Sequence, residues 1–338
     1  MGYKMGNTNK NLGRAMKAKN DEFYTQFADI EKEMQYFDPA IFKDKIIYCP
    51  ADVAKPNARI PISEFVNYFK QNAERLKFKK LIATCLEDKV DNDSNVYNKY
   101  ELISENGGGD TCKYVEHFSH LSDDPMYDMG YGYSSGDFRS KECTSILENC
   151  DMVITNPPFS LFKDFMDWVF KYDKQCLVIG NTMASAYINV FSYIKEGNLW
   201  VHGDAKNQNI WFISPEGNNY TKKKVLTVWF TNLPGVKCIN KLVLTETYYD
   251  EFGRPYPDVD ELYPRFDNYG AISVNSIKAI PKDYKGVMGV PVTFMYYYDP
   301  DKWELIGITD FIKASDGEGV ITLLYDEVFK RVLIKRKE

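Results

Sequence analysis

The segment Asn156-Pro157-Pro158-Phe159 combines groups that suit a flat heterocycle carrying an exocyclic amine. An asparagine side chain presents a carbonyl acceptor beside a donor amide. Two consecutive prolines remove two backbone donors and leave two carbonyls with constrained directions, and the phenylalanine offers a stacking face. The segment follows the apolar run Met152-Val153-Ile154 and precedes a helical pattern from about Leu161. It is therefore predicted to lie at the carboxyl end of a strand, where open α/β sheets bind their ligands.

Methyl transfer to an amine nitrogen is the chemistry that these groups suit. The amine of adenine is a poor nucleophile because its lone pair is delocalised into the ring. If the Asn156 oxygen and the Pro157 carbonyl hold its two hydrogens, the lone pair can point at an electrophilic methyl group. Such hydrogen bonds help only if they strengthen in the transition state, and in-line positioning supplies the rest of the rate. Judged alone, the four residues fit an ordinary proline turn equally well.

A methyl donor such as S-adenosylmethionine needs a turn for its amino acid, a polar group for its ribose and an acceptor for its adenine amine. The turn after the first predicted strand, Cys49-Pro50-Ala51-Asp52, lacks the glycines of a dinucleotide-binding loop. Asp52 could meet the ammonium of the donor or cap a helix, and the two interpretations carry equal weight. Glu87 and Asp88 are possible ribose ligands, although they come slightly late after the second predicted strand.

Two further segments carry polar groups at suitable places. Within Gly136-Asp137-Phe138, a predicted strand-end turn, Asp137 could accept a hydrogen bond from the adenine amine of the donor. Phe138 would add a backbone donor and an apolar face, whereas the plainer interpretation of Asp137 is an ordinary turn residue. The segment from Asn20 to Gln26 combines acidic, aromatic and hydroxyl groups, and it also fits a helix start capped by Asn20 or Asp21.

The elements around these segments predict a doubly wound α/β domain with a mostly parallel sheet. A helix capped by Ser63 follows the first strand, and its apolar residues recur at helical spacing as far as Leu76. A second helix begins after Phe159, with apolar residues from Phe162 to Phe170. The predicted strands are Ile46 to Cys49, Leu81 to Ala83, Met152 to Ile154 and Cys176 to Gly180.

The composition changes after about residue 200, where prolines and tyrosines become frequent and only Val225 to Phe230 is strand-like. We therefore expect a basic amino-terminal arm over residues 1–20 and a catalytic domain over residues 21–205. Residues 206–338 would contain the end of the catalytic sheet and a less regular region for target recognition. Residues 87–135 are interpreted as a polar connection with a flexible glycine loop.

The composition limits the class of protein. The 338 residues carry a net charge of −6, with 44% hydrophobic and 15% aromatic residues, which is typical of a globular chain. The sequence contains no apolar run of about 18 residues, so no membrane span is predicted, and no secretory signal is expected. Seven scattered cysteines indicate reduced, mostly buried thiols in a cytoplasmic protein. His117 and His120 could share a helix face, but further ligands are missing and no metal site is predicted.

Several stretches together resemble the EcoRI-type adenine-specific DNA methyltransferases, and the resemblance extends over essentially the whole chain. Each stretch is a weak signal alone, whereas their joint order is specific. They are Asn20 to Gln26, Leu81-Ile82-Ala83 with the following cysteine, Gly136 to Ser140, Val153 to Phe162, Leu177 to Asn181, Thr231-Asn232-Leu233, Asp267-Asn268-Tyr269 and Gly286 to Phe294.

The resemblance implies an S-adenosylmethionine-dependent enzyme that methylates the N6 amine of adenine in duplex DNA. It also implies a monomer, with a possible cognate restriction endonuclease that acts separately. Tyr24 and Thr25 would line the methionine end of the donor, Pro50 and Asp52 its first loop, and Asp137 and Phe138 its adenine. The family's first loop usually reads Cys-Asn-Cys-Asp-Asp-Pro, so this chain, with a longer loop, lacks one acid.

The segment from Asn156 to Phe159 matches the family's catalytic loop. The target adenine would be flipped out of the duplex, and Phe159 would stack on it. Four residues are candidates for a second stacking face, namely Trp211, Phe212, Trp229 and Phe230.

Two other functions fit the residues from Asn156 to Phe159. One is a methyltransferase for RNA or for a protein glutamine, and the other is a catalytically silent DNA-binding regulator whose donor site has decayed.

Overall fold

The computed structural model describes most of the chain and divides it into two compact units. The described residues are 25–52, 63–86, 98–105, 113–119, 121, 133, 135–205, 209–216, 219–235, 240–312, 321–323, 326–327 and 330–337. The first unit combines Met1–Asn181 with Asn209–Val236, and the second combines Thr182–Gln208 with Lys237–Glu338. The chain thus leaves the first unit after its sixth strand and returns to it 27 residues later, for a final pair of strands.

The helices and strands are numbered here in chain order. The helices are α1 (Phe27–Met34), α2 (Glu64–Gln71), α3 (Ala73–Leu76), α4 (Lys141–Asn149), α5 (Phe162–Lys171), α6 (Ile188–Lys195) and α7 (Val259–Leu262). The strands are β1 (Ile46–Pro50), β2 (Lys80–Thr84), β3 (Lys99–Ser104), β4 (Tyr114–Ser119), β5 (Met152–Thr155), β6 (Gln175–Asn181), β7 (Trp200–His202), β8 (Asn209–Glu216), β9 (Asn219–Thr231), β10 (Ala271–Ser273), β11 (Val287–Pro291), β12 (Trp303–Ile308), β13 (Thr322–Leu323), β14 (Asp326–Glu327) and β15 (Arg331–Arg336).

The first unit confirms the predicted α/β class. Its sheet has the order β4-β3-β2-β1-β5-β6-β9, and β8 pairs with β9. The central strands β2, β1, β5 and β6 are parallel, whereas the pairs β2–β3, β3–β4, β6–β9 and β8–β9 are antiparallel. Parallel strands need crossover connections, so the central four are the strands that alternate with helices along the chain.

Helices cover both faces of this sheet. Successive residues of a strand point to opposite faces, and β1 shows the division. Ile47 and Cys49 belong to the core cluster that includes residues of α1 and α2. Tyr48 instead contacts the Trp168 ring of α5, with ring centroids 6.3 Å apart. The sheet is therefore the middle layer of three. Because helices cover both of its faces, we expect a ligand to bind at the ends of its strands.

The first crossover follows the predicted pattern with one difference. Ser63 caps α2 as predicted, because its Oγ accepts a hydrogen bond of 3.2 Å from the Val66 backbone. The predicted single helix is divided into α2 and α3 at Asn72, which has φ −105° and ψ 12°. The Asn72 side chain donates to the Tyr68 carbonyl, a local bond of the kind that competes with helix continuation.

The polar connection between the second and third parallel strands contains an antiparallel pair that the sequence interpretation missed. In β3, the buried residues Tyr100 and Leu102 alternate with partly exposed ones. His117 lies on β4, so the interpretation that places it on a helix face is wrong, and His120 lies outside the described residues. Within the described ranges, no group of three His, Cys, Asp or Glu is arranged to hold a metal ion.

The second unit contains a regular sheet where the sequence indicated an irregular region. Its strand order is β10-β11-β15-β12, with β10 and β11 parallel and the other pairs antiparallel. Phe266, Ala271, Ile321 and Leu333 form a buried cluster in this unit. None of the helices in the described ranges is long and apolar enough to cross a membrane.

Gly180 in β6 allows two buried rings to meet, and this contact predicts a measurable packing effect. A methyl group at Gly180 would lie 2.5 Å from the Phe162 ring and 2.9 Å from the Phe230 ring. We expect Gly180→Ala to lower the free energy of unfolding by about 1–3 kcal/mol through overpacking. Chemical denaturation would measure this, with Gly270→Ala as a control, because nothing lies within 4 Å of its added methyl. Partial recovery in Gly180→Ala/Phe162→Leu would identify the ring as the cause, and an unchanged Gly180→Ala variant would contradict it.

Candidate active site

The carboxyl ends of β1, β2 and β5 meet at one edge of the sheet and bring together residues that are distant in sequence. β1 lies between the other two strands, and all three are parallel. The Asp52 backbone N–H, two residues beyond β1, donates to the Thr84 carbonyl at 3.0 Å. This bond and the strand pairing place Pro50 and Asp52 beside the first residues after β5. Open α/β sheets bind their ligands at such carboxyl ends of neighbouring strands.

Thr155, the last residue of β5, connects this loop to the next strand. Its hydroxyl contacts both the Pro50 carbonyl and, at 2.7 Å, the Asp52 Oδ2 atom. A hydroxyl has one hydrogen, so it cannot donate to both acceptors at once. A protonated Asp52 resolves the arrangement, because Asp52 can then donate to Thr155 while Thr155 donates to Pro50.

The environment of Asp52 favours that protonated form. Its side chain is only 5% exposed, and burial raises the pKa of Asp52 to about 7, although hydrogen bonds from Thr155 and Ser63 act in the opposite direction. Removing a carboxylate from water disfavours its charged form. Ser63, not Asp52, caps α2, so helix capping does not explain the acid. Asp52 is therefore a buried acid that a cationic ligand group would ionise.

Asp137 forms a compact unit with Arg139. Its Oδ1 accepts bonds of 2.9 Å from the Arg139 backbone N–H and from Nε, and its Oδ2 accepts one of 2.8 Å from Nη2. These bonds to the carboxylate raise the pKa of Arg139. Each carboxylate oxygen can accept about two hydrogen bonds, so Oδ2 retains capacity for a further donor.

The turn around Asp137 differs from its predicted context. Among the described residues no strand leads into it, and it instead precedes α4, which Ser140 caps by accepting a bond from the Cys143 backbone. The Phe138 ring is buried, and its centroid lies 5.2 Å from that of Phe165. That ring anchors the turn to α5 rather than offering its face to a ligand, which leaves the backbone N–H as the candidate contact of Phe138.

Gly136 attaches this turn to the end of β2. Its φ is +82°, and a side-chain methyl would lie 1.8 Å from the Cys85 carbonyl oxygen, so only glycine fits here. Asn98 braces the same place: its side chain donates to Ser135 Oγ at 2.8 Å, and its carbonyl accepts from the Cys85 backbone. Asn98 was not predicted to support the site, because nothing in the sequence distinguishes it within a polar connection.

The segment from Asn156 to Phe159 lies where it was predicted, directly after β5. Pro157 is buried, whereas Asn156, Pro158 and Phe159 are partly exposed. The Pro158 carbonyl accepts a hydrogen bond of 3.0 Å from the Leu161 backbone as the short helical turn before α5 begins. Of the two proline carbonyls, the one of Pro158 is therefore committed to the turn, which makes the Pro157 carbonyl the better candidate acceptor for a ligand.

Thr25 lies just before α1 and is 6% exposed. Its Oγ1 is buried and makes no hydrogen bond with any part of the chain that the structure describes. A buried hydroxyl usually has a partner, so Thr25 is a candidate to receive a ligand group. Tyr24, Glu87 and Asp88 lie outside the described residues.

The structure separates the four candidates for a second stacking ring. Trp229 and Phe230 are 4% and 0% exposed, and their rings contact Phe65 and Phe162 in the core. Both rings are therefore part of the core and do not offer a face to a flipped base. Trp211 and Phe212 lie on β8, in a part of the strand whose side chains the structure does not describe.

The cysteines of the described residues are buried and form no disulfide with one another, as predicted. They are Cys49, Cys85, Cys143, Cys150 and Cys176, whereas Cys112 and Cys238 lie outside the described residues. Burial raises the pKa of Cys150 and that of Cys176 to about 12. A nucleophilic cysteine requires a lowered pKa, so these thiols are structural.

A comparison with known proteins agrees with this architecture. The family model described as "Adenine-specific methyltransferase EcoRI" matches residues 11–330. The chain belongs to this family of Type II DNA methyltransferases. It is 37% identical over 349 aligned positions to the Type II methyltransferase M.EcoRI of Escherichia coli, covering 98% of this chain and 97% of the relative.

Two further relatives come from mycoplasmas. The Type II methyltransferase M.MgeORF184P of Mycoplasma genitalium is 33% identical, covering 97% of this chain and 99% of the relative. M.MpnI of Mycoplasma pneumoniae is 32% identical, covering 87% and 84%. No solved structure gives a significant match to the chain.

The buried acid of this EcoRI-family chain predicts a pH-dependent stability. Because the folded state raises the pKa of Asp52 to about 7, its contribution to stability is complete below about pH 4 and is lost as the pH rises through about 7. We expect the stability of Asp52→Asn relative to the unmodified protein to improve between pH 4 and pH 8, by up to about 4 kcal/mol. Urea denaturation at each pH would measure the difference.

The exposed residue Asp173 provides the control for this experiment. The difference between Asp173→Asn and the unmodified protein should stay within about 0.5 kcal/mol over the same range. A relative gain of the unmodified protein over Asp52→Asn at high pH would mean that Asp52 is a stabilised carboxylate, contrary to the burial argument.

Proposed function

We propose that this chain transfers a methyl group from S-adenosylmethionine to the N6 amine of an adenine flipped out of duplex DNA. The observation that carries the proposal is the segment from Asn156 to Phe159 at the end of β5, next to the strand end that holds the buried Asp52. The family match supports DNA as the substrate and adenine as the base. S-adenosylmethionine supplies the electrophilic methyl group on its sulfonium.

The residues present fit such a donor at three places. Asp52 is buried and hydrogen-bonded to Thr155, and a donor ammonium would provide the opposite charge that favours its ionised form. The buried Thr25 hydroxyl offers a group for the methionine end, where Tyr24 is also proposed to lie. The free acceptor capacity of Asp137 Oδ2, together with the Phe138 backbone N–H, suits the edge of an adenine ring.

Arg139 is proposed as a positioning residue in this arrangement. It holds the Asp137 carboxylate through two parallel hydrogen bonds, a geometry that fixes the plane of the carboxylate. Its guanidinium carbon also lies 4.4 Å from the centre of the Tyr133 ring. The Asp137 carboxylate thus has a defined orientation before a ligand binds, so little side-chain entropy would be lost on binding.

The target base would bind through the segment after β5. Asn156 Oδ1 and the Pro157 carbonyl would accept the two hydrogens of the adenine amine, which allows the nitrogen to become tetrahedral and to direct its lone pair at the methyl group. These bonds strengthen as the nitrogen becomes positive, so they act on the transition state. The Phe159 ring would stack on the flipped base and return about 1–3 kcal/mol of the cost of unstacking it.

Asn156→Ala tests the assignment of the amine acceptor. We expect turnover to fall by at least about 10²-fold, by analogy with the loss of one preorganised hydrogen-bonding group from an active site. Binding of S-adenosylmethionine, measured by calorimetry, should stay within about threefold. The exposed residue Asn149 provides the control, because Asn149→Ala removes the same group from the end of α4. Loss of donor binding with retained chemistry would contradict the assignment.

The nature of the substrate is tested in the same assay. Radiolabelled S-adenosylmethionine would be supplied with mixed-sequence duplex DNA, and the DNA would then be digested to nucleosides and sequenced for modified positions. N6-methyladenine at one recurring sequence is the expected result. Labelling of RNA or protein instead of DNA would overturn the proposal, and the absence of donor binding would favour a catalytically silent DNA-binding protein.

Phe159 variants separate stacking from packing. Phe159 also packs against the core cluster, so Phe159→Leu keeps apolar bulk without a flat ring, whereas Phe159→Tyr keeps the ring. We expect Phe159→Leu to reduce base flipping by about 1–3 kcal/mol, read as a smaller fluorescence rise from 2-aminopurine at the target position. Phe159→Tyr should behave like the unmodified protein. Equal signals from both variants would remove Phe159 from the base site.

A further inference from the structure

The β8–β9 hairpin is longer than the sheet that anchors it. β9 pairs with β6 only from Thr227 to Thr231, where Asn181 faces Thr227 and Leu177 faces Thr231. The earlier part of β9, Asn219 to Leu226, pairs with β8 instead. Burial changes at the same point, because Thr227 is 2% exposed and Leu226 is 52% exposed. A two-stranded ribbon therefore leaves the sheet at Leu226.

The direction of this ribbon follows from the register. β6 is parallel to β5, and Asn181 is the last residue of β6. Because β9 is antiparallel to β6, the residues before Thr227 continue past the carboxyl end of β6. This is the edge of the sheet where Asn156 follows β5. The eight residue pairs from Asn209–Leu226 to Glu216–Asn219 make the ribbon roughly 26 Å long, at about 3.3 Å per residue.

The ribbon is basic although the chain is acidic. It carries the run Lys222-Lys223-Lys224 and a single acid, Glu216, whereas the whole chain has a net charge of −6. In the register of the hairpin, Lys222, Lys223 and Lys224 are paired with Ile213, Phe212 and Trp211 of β8. Because successive strand residues alternate between faces, Lys222 and Lys224 share one face of β9. On sequence alone a lysine run is best interpreted as a solvated surface, but here it lies on an extended ribbon at the edge that holds the candidate catalytic loop.

Duplex DNA is the partner whose dimensions and charge match this ribbon. The major groove is about 12 Å wide and admits a two-stranded β-ribbon. A ribbon of roughly 26 Å spans about eight base pairs, at 3.4 Å for each pair. Phosphates along the groove attract lysines, and such contacts fix the position of a protein on the duplex.

We propose that the β8–β9 ribbon is the arm that holds duplex DNA along its groove, with Lys222 and Lys224, which share one face of β9, neutralising phosphates beside the target base. The inference rests on the proposed function, since it names the surface that receives the same substrate. The ribbon and the segment after β5 belong to one unit. Binding at the ribbon would therefore bring the base to Asn156 with a defined register.

The test replaces the three lysines together, as Lys222→Gln/Lys223→Gln/Lys224→Gln, in the full chain. A control with the same change of charge uses Lys43→Gln/Lys79→Gln/Lys171→Gln. These three exposed residues belong to the same unit and lie next to the amino ends of its strands, at the opposite edge. Thermal unfolding and S-adenosylmethionine binding would be recorded for both variants, to establish that each is folded and retains its donor site.

DNA affinity as a function of salt concentration is the main measurement. We expect the ribbon variant to bind duplex DNA at least tenfold more weakly. The slope of log K against log salt should fall by about 2, or about 0.9 for each phosphate that Lys222 and Lys224 no longer neutralise. The control variant should keep the slope of the unmodified protein. A Lys→Arg triple at positions 222–224 should restore both affinity and slope.

Each outcome separates the ribbon inference from the function on which it rests. If the unmodified protein methylates DNA and the ribbon variant binds it like the control, the ribbon inference is overturned and the function stands. If the unmodified protein transfers no methyl group to DNA, the proposed function fails. If the ribbon variant loses affinity for RNA or for an acidic protein but not for duplex DNA, the partner is a different one and the inference is wrong.

Discussion

The hydroxyl group of Thr155 lies between the Pro50 carbonyl and the Asp52 carboxyl, and the candidate site depends on that arrangement. It joins the ends of two neighbouring parallel strands, β1 and β5, and has one hydrogen to offer to the two acceptors. Because that hydrogen cannot satisfy two acceptors, the buried Asp52 is best accommodated as a neutral acid. A cationic ligand group would reverse this preference, so charge on the ligand and the hydrogen bonding of Thr155 are linked.

The rest of the site is held by backbone geometry more than by side-chain chemistry. Gly136 meets the Cys85 carbonyl closely enough to exclude any side chain, and Asn98 braces the same contact. The Asp137 carboxylate is oriented by Arg139, and the Phe138 ring is buried against α5. Rigid supports of this kind suit methyl transfer, where positioning supplies much of the rate and no enzyme nucleophile is needed.

A DNA enzyme with a net charge of −6 must concentrate positive charge where the duplex binds. The β8–β9 ribbon is a place where the chain does so beside the candidate catalytic edge, and its lysines lie on β9 just before the residues that pair with β6. The first unit therefore contains both the segment proposed to bind the target base and the surface proposed to bind its duplex. Local charge, rather than the overall balance, governs the encounter with phosphate.

Local patterns in the sequence were enough to predict several elements of the fold. Apolar runs located β1, β2, β5 and β6, helical spacing located α2 and α5, and the Ser63 cap was correct because capping depends on neighbouring residues. The joint order of short motifs also identified the family. The position of Asn156 directly after a strand followed from the same local signals.

Features that depend on contacts between distant residues could be seen only in the folded chain. Thr155 and Asp52 are 103 residues apart, and only the pairing of β1 with β5 brings them within 2.7 Å. The β3–β4 pair was missed because a polar composition concealed the alternation of Tyr100 and Leu102. The lysine run acquired a meaning only from the register of β9, because a strand's position beyond its neighbour is a property of pairing and not of composition.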